Sequence, residues 1–186
     1  MTKRQKHTAL AVALLVSIIS AASAAPAKEK PEPLPTVSSL DLAKFEGTWY
    51  ELSRIPIPVA KDWVNTVDIY IPHPDGKWSV RYEGNKGSPE GKRKVLKQKL
   101  RIPDPLKPGE MEVSMIPFIW MKYRLVYMSA DYRFMLVTSS STDFLWLMSR
   151  EAVPSAAEYD GLVAQAAAMG FETARLERVL QTPPKP

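Results

Sequence analysis

The chain has 186 residues, no cysteine, two histidines, and 25 Lys and Arg against 20 Asp and Glu. Without thiols there is no disulfide, no thiol catalysis and no Cys-ligated zinc, and a single histidine beyond residue 24 leaves no usual zinc ligand set. Removing residues 1–24 takes away Lys3, Arg4 and Lys6 and no acid, leaving 22 cations against 20 anions, so net charge gives no argument for nucleic acid as a partner.

Taken in chain order, residues 1–24 read as an export signal. Lys3, Arg4 and Lys6 form a positive start, Leu10 to Ile19 an apolar run shorter than the roughly 20 residues that span a bilayer, and Ala22-Ser23-Ala24 a small-residue cleavage pattern. Residues 25–39 are rich in proline and charge and read as a flexible, partly extended linker. Residues 40–181 follow as one domain, and 182–186 as a tail.

From Gly47 to Met148, short runs of β-branched and aromatic residues alternate with turn formers, which is the pattern of an all-β domain. The expected strands are Thr48 to Arg54, Asn65 to Ile71, Lys77 to Tyr82, Arg93 to Ile102, Glu110 to Met115, Lys122 to Met128, Arg133 to Thr138 and Phe144 to Ser149. Pro74-Asp75-Gly76 suits a tight hairpin. Eight antiparallel strands so joined either stack as a sandwich or close as an up-and-down barrel. Pro154 to Met169, with Gly170 just beyond, reads as a helix whose one apolar face, Leu162, Val163, Ala166 and Met169, lies on the outside of the sheet. A short strand over Leu176 to Leu180 closes the domain.

Catalytic raw material is thin. His7 belongs to the signal, and His73 sits between two prolines in a turn, where solvent is its natural neighbour. Gly87 to Gly91, followed by Lys92, Arg93, Lys94, Lys97 and Lys99, matches neither a P-loop nor a dinucleotide fingerprint and reads as a turn and a solvated strand. No cofactor and no metal site is expected.

Three segments carry a resemblance. Phe45-Glu46-Gly47-Thr48-Trp49-Tyr50-Glu51 resembles the Gly-x-Trp signature that opens the first strand of the lipocalins. Ser129-Ala130-Asp131-Tyr132 is similar to their Thr-Asp-Tyr signature, with Ala130 in place of threonine, and Asp143 to Arg150 resembles the last strand with its terminal arginine. Val64 to Tyr70 and Gly170 to Thr173 look like the bacterial, apolipoprotein D-like branch. The resemblance implies an eight-stranded lipocalin barrel with the helix outside, and gives Gly47, Trp49, Asp131, Tyr132 and Arg150 structural roles, with the Arg150 guanidinium over the Trp49 indole at the closed end.

It also implies an apolar ligand in the lumen, a fatty acid or lysophospholipid, carried in the bacterial envelope without chemistry. Bacterial members often carry a lipid-modified cysteine, which this sequence lacks, so the expected location is the periplasm, in soluble form, with transient membrane contact. A loop-mediated scaffold is the alternative, and the isomerase activity of a few lipocalins needs a lumen cysteine. Strand alternation assigns the lumen to Glu51 and Ser53 on the first strand, phased on Trp49, to Phe144, Trp146 and Met148 on the last, phased on Arg150, and to Tyr123, Leu125 and Tyr127 on the sixth, which keeps Arg124 outside; Val67 and Ile69 are placed there with them. The proline-rich first loop, Ile55 to Trp63, caps the open end and brings Trp63 to the ligand.

Overall fold

The computed structural model describes residues 34–182. The expected export signal lies outside the described residues, as do positions 25–33 and 183–186. The strands are β1 (Gly47–Arg54), β2 (Trp63–Pro72), β3 (Trp78–Lys86), β4 (Arg93–Arg101), β5 (Glu110–Ile116), β6 (Ile119–Met128), β7 (Phe134–Thr138) and β8 (Trp146–Ser149). Each pairs antiparallel with the next, and β1 pairs with both β8 and β2, so the sheet closes on itself as an eight-stranded barrel. Closure leaves none of the eight with a free edge, which a sandwich would have required. The expected last strand is only β9 (Glu177–Arg178), paired with Ser53 and Arg54.

Turn chemistry set the hairpins: Gly76, at φ +77, completes the β2–β3 turn, where the His73 amide donates to Lys77 O at 2.8 Å. A short helix, α1 (Leu42–Phe45), was not anticipated; the Asp41 carboxylate caps it by accepting from Ala43 N at 3.1 Å and Lys44 N at 3.3 Å. Helix α2 (Ala156–Ala168) begins with a capping box in which Ser155 and Glu158 bond reciprocally. It lies where the apolar face required. Leu162 and Ala166 are buried with Leu52, Leu136, Leu145 and Leu147 from the outer face of the sheet.

Residues 34–39, read from the sequence as the end of a flexible linker, are docked on the barrel instead. The Val37 amide donates to Leu125 O at 3.0 Å and Arg124 Nη2 donates to Leu34 O at 2.8 Å. A side chain at Gly109 would meet Thr36 Cβ at 2.7 Å, so the crossing requires glycine. Proline prevents a helix here but leaves the neighbouring amides free to bond.

Register shifts interrupt the β1–β8, β2–β3, β5–β6 and β6–β7 ladders, and two of them move expected lumen residues. The β1–β8 register shifts between Glu51 and Ser53, and the β6–β7 register between Leu125 and Tyr127. An extra residue in a strand of period two reverses which side chains face inward beyond it.

A candidate ligand cavity at the open end of the barrel

The closed end is a packed plug. Trp49 is fully buried, donates through Nε1 to Phe45 O at 2.9 Å, and lies under the Arg150 guanidinium at 3.9 Å from the ring centre. Arg150 also donates to the backbone carbonyls of Thr48 at 2.7 Å, Glu46 at 2.9 Å and Phe45 at 3.1 Å, and contacts that of Lys44. Gly47, at φ +90, stands beside the guanidinium. Asp131 accepts from Ser129 Oγ at 2.6 Å and Arg133 N at 3.2 Å, shaping the turn that holds Tyr132 at φ +58, and the Tyr132 hydroxyl accepts from Asp41 N at 2.8 Å. The three signature segments therefore meet around α1.

At the opposite end the barrel holds a cavity of about 460 Å³. That volume falls within the roughly 300–1,000 Å³ of small-molecule sites. Its mouth is largely apolar: Ile57 and Val59 from the β1–β2 connection, Met115 from β5, Met121 from β6, and Phe144 just before β8, beside the polar Ser139, Ser140 and Lys122. Further in are Leu96 and Gln98 on β4, Val113 on β5 and Trp146 on β8, and the polar groups reaching it include Asp68, Tyr82 and Tyr123. A larger hollow, about 1330 Å³, lies among mostly exposed side chains of the β2–β3 turn and the β4–β5 connection, outside the barrel and beyond its plug.

Several expected lumen residues are elsewhere. Tyr123, Phe144 and Trp146 line the cavity. Leu125 and Met148 point inward but are consumed by the packed plug, both fully buried beside Trp49. Glu51 points inward beneath the cavity. Trp63 stacks behind Tyr82, with ring centres 5.5 Å apart and planes at 12°, and reaches the cavity only through that ring.

Four assignments are corrected. Ser53 and Tyr127 face outward because of the bulges: Ser53 Oγ is 2.8 Å from the Tyr159 hydroxyl on α2, and Tyr127 packs into the cluster beneath that helix. Arg54, opposite Trp146, and Met128, opposite Met135, take the inward places. Val67 and Ile69 also face outward. The opposite face of β2 is fixed by Tyr70, whose ring packs on Phe45 at 4.4 Å, and Asp68, directly opposite Trp49, shares that face.

What the corrections expose is a polar floor. Arg54 Nη1 donates to Glu51 Oε1 at 2.8 Å, with both side chains buried, and Nη2 reaches the carbonyls of Ala60 and Trp63, tying β1 to the first loop. The Tyr82 hydroxyl donates to Glu51 Oε2 at 2.9 Å. Beside this pair, the Tyr70 and Tyr123 hydroxyls contact each other and converge on Asp68 Oδ2 at 3.3 and 3.2 Å. Burial pushes the Asp68 carboxyl up to about 7; the Glu51 charge adds to the rise and the two phenol hydrogen bonds oppose it.

Tyr82, Leu96 and Gln98 were legible in the alternation of β3 and β4, where Val80 and Tyr82 oppose Arg81 and Glu83 in kind, and Leu96 and Leu100 oppose Lys97 and Lys99. Asp68 had no such signal.

A family model described as a lipocalin-like domain matches residues 40–181. The chain belongs to the lipocalin family. This lipocalin is 29% identical over 173 residues to temperature-induced lipocalin-1 of Arabidopsis thaliana, covering 84% of the chain and 88% of the relative. It is 26% identical over 170 residues to the outer membrane lipoprotein Blc of Citrobacter freundii, covering 90% and 96%. Such bacterial relatives agree with the branch indicated by Val64 to Tyr70. Among solved structures, the cockroach allergen Per a 4 superposes with a TM-score of 0.61 at 21% identity, covering 80% of this chain and 92% of that one.

Proposed function

We propose that this lipocalin binds one small, lipid-like molecule in the open-end cavity and carries it unaltered, in the bacterial envelope. The lipocalin fold supports hydrophobic ligand binding in general; the finer reading is a single-chain lipid of the fatty acid or lysophospholipid class. The observation that carries it is the cavity of about 460 Å³, open at one end of the barrel, with a largely apolar mouth. Each methylene buried there contributes about 0.8 kcal/mol.

The mouth continues onto an apolar rim. Phe118, at φ +69 in the β5–β6 turn, is 97% exposed, and Ile116, Ile119 and Val59 are more than half exposed. An apolar rim around a lipid-sized opening favours transient contact with a membrane, from which a chain passes inward without crossing water. The export signal expected at residues 1–24 and the outer-membrane naming of the Blc relatives support the envelope as the setting.

Titration with a fluorescent fatty-acid analogue tests the proposal. Saturable binding at one site per chain, displaced by lysophospholipid, is the expected result. Linear, non-saturable uptake with no displacement refutes it.

A further inference from the structure

The charges inside the barrel do not balance. Glu51, Arg54 and Asp68 are the buried ionisable groups at the floor whose charges count near neutral pH. Arg54 is committed to Glu51 and to two backbone carbonyls, so the ion pair is self-contained. Among the described residues no cation pairs with Asp68. Its Oδ2 accepts from two phenols, while among the described residues no hydrogen bond reaches Oδ1, and its carboxyl lies on the cavity wall. The one cation on that wall, Lys122, is turned to Glu112 at 2.8 Å.

Charge along the cavity is graded in the same sense, with a carboxyl and phenols at the floor and Ile57, Val59, Met115, Met121 and Phe144 toward the mouth, where Ser139 and Ser140 add only neutral hydroxyls. A chain entering methyl end first would press hydrocarbon against a buried carboxyl. A fatty-acid anion entering head first would set a second carboxylate beside Asp68, with Glu51 close by. Either arrangement fits the cavity but leaves Asp68 without a partner, so an amphiphile that supplies one binds more tightly there.

We propose that the cavity takes a single-chain amphiphile amine end first, with its ammonium group paired to the Asp68 carboxylate. This rests on the carriage reading above and narrows it. The shared chemistry is an alkylammonium, which a long-chain amine and the ethanolamine head of a lysophospholipid both supply. An ammonium there neutralises the unpaired carboxylate and donates to the free Oδ1, while the alkyl chain meets the apolar mouth.

Calorimetric titration of the full chain with dodecylamine, 1-dodecanol and dodecanoate at pH 5.5 and pH 8.0 tests this, with Asp68→Asn in parallel. The groups facing Asp68 are Glu51 and Arg54 on β1, Tyr70 on its own strand, Tyr82 on β3 and Tyr123 on β6, while β4 and β5 present Leu96, Gln98 and Val113. The buried phenols and Arg54 keep their charge across this pH range. Dodecylamine, protonated at both pH values, binds up to about thirtyfold more tightly at pH 8.0, because a carboxyl titrating near 7 is almost wholly protonated at pH 5.5. Dodecanoate gains nothing from the change. In Asp68→Asn the pH dependence disappears, and the amine loses at least about tenfold more affinity at pH 8.0 than 1-dodecanol does.

Lysophosphatidylethanolamine against lysophosphatidylglycerol of equal chain length identifies the source: preference for the ethanolamine lipid names a lysolipid head, and dodecylamine binding without that preference names a free amine. Dodecanol and dodecanoate binding with no preference for the amine overturns the ammonium assignment alone. Failure of all three probes overturns carriage itself. If Asp68→Asn does not fold, the pH dependence of the wild-type protein decides.

Discussion

Replacing Asp68 by asparagine should stabilise the empty protein, and the gain should grow with pH. Asparagine has nearly the same shape, and its amide oxygen can accept the hydrogens of Tyr70 and Tyr123 that now reach Oδ2. The unfolded carboxyl releases its proton near 3.8, the folded one near 7. Between these values the folded state binds more protons, so the contribution of Asp68 to stability falls as pH rises from about 4 to about 7 and stays low above it. Worked through the linkage relation, the advantage of Asp68→Asn increases by about 3 kcal/mol between pH 4.5 and 8.5. For a domain of this size that is a relative rise in Tm of roughly 6–12 °C. Thermal unfolding followed by circular dichroism, run on both proteins at both pH values, isolates the effect, since all other titrations cancel in the difference. An advantage that is the same at pH 4.5 and 8.5, or an asparagine variant less stable at pH 8.5, would refute the reasoning.

Arg150→Ala removes the cation over Trp49 and leaves up to four carbonyls without their donor; we expect a loss of about 3 kcal/mol, with Tm falling further than lipid affinity changes at a temperature where the variant is folded. Glu51→Gln strands Arg54 as a buried, unpaired cation and should cost about 3–5 kcal/mol in denaturant unfolding, more than its charge-neutral double variant Glu51→Gln/Arg54→Met. Phe118→Asp, in a fully exposed turn, should leave Tm within about 2 °C and reduce sedimentation with phospholipid vesicles several-fold; undiminished vesicle binding would remove the rim from the membrane reading.

The barrel was legible because its instructions are local. Gly76 after Pro74 and Asp75 sets a hairpin, Ser155 and Glu158 start a helix and Gly170 ends it, and each acts within a few residues of itself. The lumen was legible only where alternation ran unbroken, as on β8, where Phe144, Trp146 and Met148 share one face. It failed at the bulges after Glu51 and Leu125, because an extra residue leaves no trace in composition. It failed on β2 for a different reason: the phase there is set by Tyr70 meeting Phe45 of α1 in the plug, a contact between residues 25 apart in the chain. The docked segment around Val37 was hidden in the same way, since its partner Leu125 lies far along the chain.

The bulge between Glu51 and Ser53 also bears on how such a barrel diversifies. Below it, Trp49 faces the plug; above it, Arg54 faces the cavity while Ser53 faces α2. Loss of the extra residue, Leu52, would leave Glu51 opposite Met148, Ser53 opposite Leu147 and Arg54 opposite Trp146 in a plain ladder, with the cavity's guanidinium in place and the lower half and its Arg150 contacts untouched. The bulge is thus a point at which the strand can lose a residue while both the cavity's side chains and the foundation beneath them keep their places.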